Sequence, residues 1–367
     1  MKLFITGGHL TPALAVIDEI QTKYPSWEIV FVGRKYAMEA DSKPSEEYRL
    51  IHAKNLKFLT ITTGRLGRFI SLTTLFSFMK IPVGFILAFY YCFKERPTVI
   101  ASFGGYVALP IVIAGWFFHI PSVTHEQTFV PGLANRIISL FASTICVNSE
   151  SVARLFRGKK IVITGMIIRK SLFTTVHTHV FPIPENLPLL YITGGSTGSH
   201  SVNELLYPIV PKLLRKYYII HQVGHRSFDR ALYIREKLTT KEKQKYTVLP
   251  YLDEEKHVWA IQHAHIVIGR SGANITAEVE ALSKVALFIP LPWSSFNEQF
   301  LNAKRLVDTG SSLILEQKNA DPQKLLRAIQ HIENSYSIFY DHAQTISKQA
   351  SHDGVQNFVF QLTSFAV

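Results

Sequence analysis

The chain predicts an α/β protein built as two Rossmann-like domains in tandem, each around a parallel sheet. Three observations carry this. The 367 residues are more than one ordinary core accommodates. Short, near-continuous apolar runs alternate with helical patterns, as in parallel sheets covered on both faces. Each half also opens the same way, with an apolar strand, a glycine turn and a helix: Ile5-Thr6-Gly7-Gly8-His9 in the first half, Thr193-Gly194-Gly195-Ser196-Thr197-Gly198 in the second.

The strands expected in the first half are 3–5, 28–32, 57–62, 98–101, 122–125 and 144–147. Those in the second are 189–193, 218–221, 246–249, 265–268, 286–290 and 312–315. Each is rich in β-branched and aromatic residues and is bounded by turn formers. The segment 164–172 and the polar stretch after it read as the linker. Residues 69–93 hold a single charge, Lys80. Their length matches a bilayer span, but Pro82 and Gly84 interrupt them. They read as two pieces, an amphipathic segment at 66–79 and a core helix at 83–93. Arg65 and Arg68 flank the first piece, as contact with an anionic lipid surface requires. A buried crossover helix is the plainer alternative.

Composition narrows the function classes. The chain is 47% hydrophobic and 18% charged, which excludes a disordered protein. Two cysteines, Cys92 and Cys146, make no disulfide framework and suit a reducing compartment. The opening Lys2-Leu3-Phe4-Ile5 reads as a strand, not a signal peptide. The net charge of +12 favours phosphorylated substrates or anionic lipid. Nucleic acid is not expected, because zinc-finger and aromatic RNA-binding signatures are missing.

Several motifs carry chemistry. Thr6 to Ala15 forms a strand-to-helix turn whose glycines, free amides and positive helix end favour phosphate. His9 within it is a candidate general base. Gly194 to Gly198 reads either as a phosphate cradle with Ser196 as a hydroxyl donor or as a hydrolase nucleophile elbow. Asp253 and His263 follow Ser196 in triad order, but no oxyanion-loop motif precedes it. Gly269 to Glu278 again opens a helix at a strand's carboxyl end, and Glu278 sits where a carboxylate can accept from a ribose diol. His177/His179 and His263/His265 look like metal pairs without a third ligand. Neither a metal nor a cofactor is expected.

Taken together, the motifs resemble one family. TGGHLTPALA at 6–15, FGGYVALP at 103–110, HEQTFVPGLANR at 125–136, TGMIIR at 164–169, TGGSTGS at 193–199, GRSGANITAE at 269–278 and IPLPWSSFNEQFLNA at 289–303 come in order. This set is similar to glycosyltransferase family 28, in particular the enzymes that add GlcNAc to lipid I in peptidoglycan and cell-wall synthesis. The resemblance covers nearly the whole chain. It implies a GT-B fold, two Rossmann-like domains facing each other across a cleft. The divisions it implies are 1–165 for the lipid acceptor and membrane docking, 166–345 for UDP-GlcNAc, and 346–367 as a helix crossing back.

It also implies roles. Glu278 takes the ribose hydroxyls, Glu298 and Gln299 the GlcNAc hydroxyls, and Leu252 offers backbone groups to uracil. Ser196, Arg169 and the helix start Ala273, Asn274, Ile275 and Thr276 meet the donor diphosphate, with Thr128 also on the donor. Thr6, Gly7, Gly8 and Tyr106 meet the acceptor diphosphate. Arg65, Arg68, Phe69, Leu72 and Phe76 dock on an anionic membrane, peripheral to the cytoplasmic face of the plasma membrane. The implied reaction is inverting transfer of GlcNAc from UDP-GlcNAc to undecaprenyl-diphospho-MurNAc-pentapeptide, giving lipid II, with His9 as base or a carboxylate in its place. Domain closure would exclude water.

The sequence departs from the family pattern at four places. The first loop lacks its leading glycines. HEQN is HEQT, ending in Thr128. GNP is Gly165-Met166-Ile167. The QQ pair is Glu298-Gln299. These leave open a related transferase with another UDP-sugar or lipid acceptor, or a non-catalytic binding paralogue.

Overall fold

Alternation along the first strand sets the layering of the first half. Leu3 and Ile5 point to one face of the sheet and Phe4 to the other, and all three are fully buried. A computed structural model describes residues 1–36, 44–62, 72–156, 160–174, 180–183, 187–349 and 352–365. It divides into two units, Met1–Arg169 with Ser351–Val367, and Lys170–Ala350.

The first unit holds seven parallel strands: β1 (Lys2–Gly7), β2 (Glu28–Gly33), β3 (Lys57–Thr60), β4 (Val99–Phe103), β5 (Ser122–Glu126), β6 (Thr144–Val147) and β7 (Lys160–Ile163). Their order is β3-β2-β1-β4-β5-β6-β7. On one face Leu3, Ile5 and Phe31 pack against Ile17 and Ile20 of helix Leu10–Lys23 and Phe358 of helix Gly354–Thr363. On the other, Phe4 and Val30 meet Ala88, Cys92 and Ile111. The carboxamide of Asn357 donates to the Thr164 carbonyl at 3.1 Å, which ties the last helix to the segment after β7.

The second unit holds six parallel strands: β8 (Leu189–Thr193), β9 (Tyr218–Gln222), β10 (Tyr246–Leu249), β11 (Ala264–Gly269), β12 (Val285–Phe288) and β13 (Ser312–Ile314). Their order is β10-β9-β8-β11-β12-β13. Leu190, Ile192, Ile219 and Ile268 join Leu325 and Ile329 in one core layer. Tyr191, between two of these residues on β8, points to the opposite face.

Twelve of these strands match the expected runs to within a residue or two. β7 was not expected. It has only four residues, at the edge of the sheet and half exposed, so its apolar signal is short. The apolar stretch also differs from expectation. Helix Leu72–Glu95 runs unbroken through Pro82 and Gly84, not as two pieces. Proline removes one helical hydrogen bond and tends to kink a helix. Here packing of Ala88 and Cys92 against the sheet and helix Gly105–Phe117 outweighs that cost.

Candidate active site

Both sheets reverse strand order at one point, between β1 and β4 in the first unit and between β8 and β11 in the second. Ligands of open α/β sheets bind outside the strands' carboxyl ends at such a point. The glycine loops leave the strands there. In the first unit Gly7 pairs with Phe103 across the switch, and a Cβ on Gly7 would lie 2.7 Å from the Phe103 Cβ. In the second, Gly269 pairs with Thr193, and a Cβ on Gly269 would lie 1.8 Å from the Thr193 carbonyl oxygen. Only glycine allows the strands to close there.

In the first unit the amide of Gly8 donates to the Gly104 carbonyl at 2.8 Å, which joins the two glycine loops. The Thr6 hydroxyl is buried without a hydrogen-bond partner among the described residues. Tyr106 lies under the Arg34 guanidinium, 5.1 Å from the ring centroid. His9 is the N-cap of helix Leu10–Lys23 and makes no side-chain cap. Burial pushes its pKa below the ordinary value, while the Glu126 carboxylate pulls the other way. His125 is pushed down to about 4 by burial, with the charge of His9 acting in the same direction. Its Nε2 meets the Gly165 carbonyl at 3.0 Å.

Glu126 was not foreseen as a site residue, yet its carboxylate acts electrostatically on the candidate base His9. It is buried and accepts from the Thr128 amide at 2.9 Å, the Thr128 hydroxyl at 2.6 Å and Asn135 Nδ2 at 2.7 Å. Thr128, expected on the donor, therefore turns its amide and hydroxyl onto Glu126. Arg169 is half-buried at the end of the first unit.

The second unit gathers the other donor candidates along the carboxyl edge of its sheet. Ser196 is exposed in a loop held by the Gly198 amide on the Gly195 carbonyl at 2.9 Å and by Gln222 on the same oxygen at 2.9 Å. Arg270, buried, braces the start of the following helix through the hydroxyls of Ser199 at 3.0 Å and Ser201 at 2.7 Å. Burial brings its pKa down to about 10. Helix Ala273–Ala281 starts from Gly272 without a side-chain cap, and the Asn274 Oδ1 is buried without a partner among the described residues. Thr276 returns its hydroxyl to the Gly272 carbonyl at 3.0 Å, and Ile275 is half-buried beside it. Leu252 buries its side chain next to Asp253, which caps helix Glu254–His263. Glu298 and Gln299 open helix Glu298–Asp308, and Gln299 Oε1 accepts from the Leu291 amide at 3.0 Å. Glu278 is buried and pairs with His257 at 2.8 Å.

The hydrolase alternative loses its triad. Asp253 accepts from Lys256, and His263 bonds the Trp259 carbonyl at 2.8 Å while stacking on that indole. His265 stacks on Tyr336 and meets Glu333 at 3.1 Å, whereas His177 and His179 lie outside the described residues. Arg65, Arg68 and Phe69 also lie outside them. Leu72 and Phe76 open helix Leu72–Glu95, but their side chains are not described.

An apolar surface nearby was missed. Ile86, Tyr90, Phe93, Trp116, Phe117 and Leu140 are each more than half exposed. Ring contacts of 5.1 Å between Phe89 and Phe117 and 5.3 Å between Trp116 and Phe141 link their helices. The i, i+4, i+7 spacing of residues 86, 90 and 93 was a readable signal, hidden by treating 83–93 as core. Among the described residues no helix is long and apolar enough to cross a membrane.

Comparison with known proteins gives the family. The glycosyltransferase family 28 N-terminal domain matches residues 6–147, and the family's C-terminal domain matches residues 189–358. A relative from Clostridium kluyveri is 30% identical over 98% of this chain and 98% of its own length. The chain belongs to glycosyltransferase family 28. That relative is named UDP-N-acetylglucosamine–N-acetylmuramyl-(pentapeptide) pyrophosphoryl-undecaprenol N-acetylglucosamine transferase. A relative from Clostridium perfringens with the same name is 32% identical over 91% of this chain and 90% of its own. Among solved structures, MurG of Acinetobacter baumannii superposes with a TM-score of 0.73 at 24% identity, over 99% of each chain. An S. aureus MnaA–UDP structure gives 0.70 at 10% identity, over all of this chain and 96% of the other. These two likenesses establish a shared fold, the two-domain GT-B architecture expected of family 28.

Proposed function

We propose that this family 28 member transfers GlcNAc from UDP-GlcNAc to undecaprenyl-diphospho-MurNAc-pentapeptide, with inversion at the anomeric carbon. The observation that carries this reading is the end-to-end match to relatives that bear that activity in their name. The site chemistry supports it. The acceptor hydroxyl attacks the anomeric carbon, the bond to the UDP oxygen breaks, and the acceptor's proton passes to the His9 ring. A neutral ring is needed for that step, and burial favours the neutral form of His9. The departing diphosphate gathers negative charge. The uncapped start of helix Ala273–Ala281, the Ser196 loop and Arg169 supply the matching positive field. Glu278 accepts from the ribose hydroxyls, Leu252 offers backbone to uracil, and Glu298 and Gln299 take the sugar. Thr6, Gly7, Gly8 and Tyr106 receive the acceptor diphosphate.

The exposed aromatic surface on the first unit supports docking on a membrane, and the net charge of +12 supports an anionic one. The reading is of a peripheral enzyme at the cytoplasmic face of the plasma membrane. Turnover with a panel of UDP-sugars and a lipid I analogue tests the donor. UDP-GlcNAc should exceed UDP-glucose and UDP-GalNAc by at least tenfold in kcat/KM. A different preferred sugar would move the chain to another transferase of the same fold.

A further inference from the structure

A hydrogen-bonded chain runs from the core of the second unit to the candidate ribose carboxylate. The Tyr191 hydroxyl lies 2.8 Å from His257 Nδ1, and His257 Nε2 lies 2.8 Å from Glu278 Oε2. Three elements contribute: β8, helix Glu254–His263 and helix Ala273–Ala281. Tyr191 is fully buried and Glu278 is 4% exposed, so the inner end is held by packing. The side chain of His257, between them, is 16% exposed. With a proton on Nε2 both contacts form: the tyrosine hydroxyl donates to Nδ1, and Nε2–H donates to the carboxylate. Both ring nitrogens are thereby engaged, and the ring cannot turn without losing a bond.

We infer that His257 is a positioning residue for donor recognition: by holding Glu278 Oε2 it orients the carboxylate for the ribose hydroxyls. This rests on the reading of Glu278 as the ribose partner. A carboxylate at the end of a flexible side chain must be ordered each time it binds a diol, and pre-ordering it by a braced imidazole lowers that cost. His257 does not touch the reacting atoms, so its effect falls on donor affinity rather than on the chemical step.

The test is steady-state kinetics with UDP-GlcNAc and with its 2′-deoxy and 3′-deoxy ribose analogues. The wild-type enzyme should prefer the ribose donor at least tenfold over one of the analogues. His257→Ala should raise KM for UDP-GlcNAc about tenfold with kcat within about twofold, and should reduce the preference to below about threefold. His257→Gln, whose amide can still donate to Glu278, should recover most of the preference and keeps the test open should His257→Ala fail to fold. Tyr191→Phe should move KM in the same direction by a smaller factor. Equal loss on ribose and deoxyribose donors, with the preference intact, would overturn the positioning role and leave the reading of Glu278 standing. A wild-type enzyme indifferent to both hydroxyls would overturn that reading and this inference together.

Discussion

His9 stands half-buried at the start of a helix, in the field of the Glu126 carboxylate, and its chemistry follows from that position. Burial lowers its pKa, so the free base persists into mildly acidic solution. With His9 as the proposed base, kcat/KM should fall as pH drops, with a midpoint below the ordinary histidine value of 6.5. His9→Ala should lower kcat by about 10²- to 10⁴-fold and remove that limb. A limb centred near 6.5 or above, or a His9→Ala enzyme that keeps it, would assign the base elsewhere. Thr128 is the second residue whose role is local. Replacing it with valine removes a hydroxyl from a buried carboxylate. This should destabilise the protein by about 1–3 kcal/mol, read as a lowered Tm.

At the scale of elements, the start of helix Ala273–Ala281 makes a prediction with two opposite signs. Asn274→Asp adds negative charge to the first turn, which favours the helix by about 0.3–1 kcal/mol but repels a diphosphate. KM for UDP-GlcNAc should rise about tenfold while Tm does not fall; a fall in both affinity and Tm would point to simple misfolding. On the first unit, Trp116→Ser with Phe117→Ser should cut partition onto anionic vesicles at least tenfold and leave turnover of a soluble acceptor analogue unchanged. Vesicle binding unaffected by the pair would place the membrane surface elsewhere. The elements themselves were largely legible in the chain. Apolar four- and five-residue runs such as Val99 to Phe103, buried throughout, carry their own signal. β7 does not, because half of its short length faces solvent. The glycine loops were legible because only glycine fits where Gly7 meets Phe103 and Gly269 meets Thr193. The brace on Glu278 was not. Tyr191 and His257 lie 66 residues apart, and His257 and Glu278 lie 21 apart. No local pattern links them, since the sheet topology alone brings them together. Helix Leu72–Glu95 was misread for the opposite reason, because a local proline signal was outweighed by tertiary packing.

For the whole molecule, the buried histidines set the response to acid. His125 in the first unit and His221 in the second are held down to about 4 and about 3 by burial, below the unfolded value of 6.5. As pH falls from 6.5 towards 4 the unfolded chain takes up protons that the folded chain refuses, so stability is fully present above 6.5 and is lost through that window. Glu47, raised to about 7 by burial, acts in the opposite sense in the first unit. Tm should therefore fall between pH 7.5 and 5, and His221→Gln should lower Tm at pH 7.5 but flatten the dependence; a flat wild-type profile would contradict this balance. Two parallel sheets, each with glycine loops at its switch point, and a basic chain with an exposed aromatic surface converge on one activity. The most direct test of it is UDP release from UDP-GlcNAc, with and without a lipid I analogue in detergent. Release should depend on the acceptor and be lost in His9→Ala. UDP-GlcNAc that binds tightly but yields no acceptor-dependent UDP would contradict it.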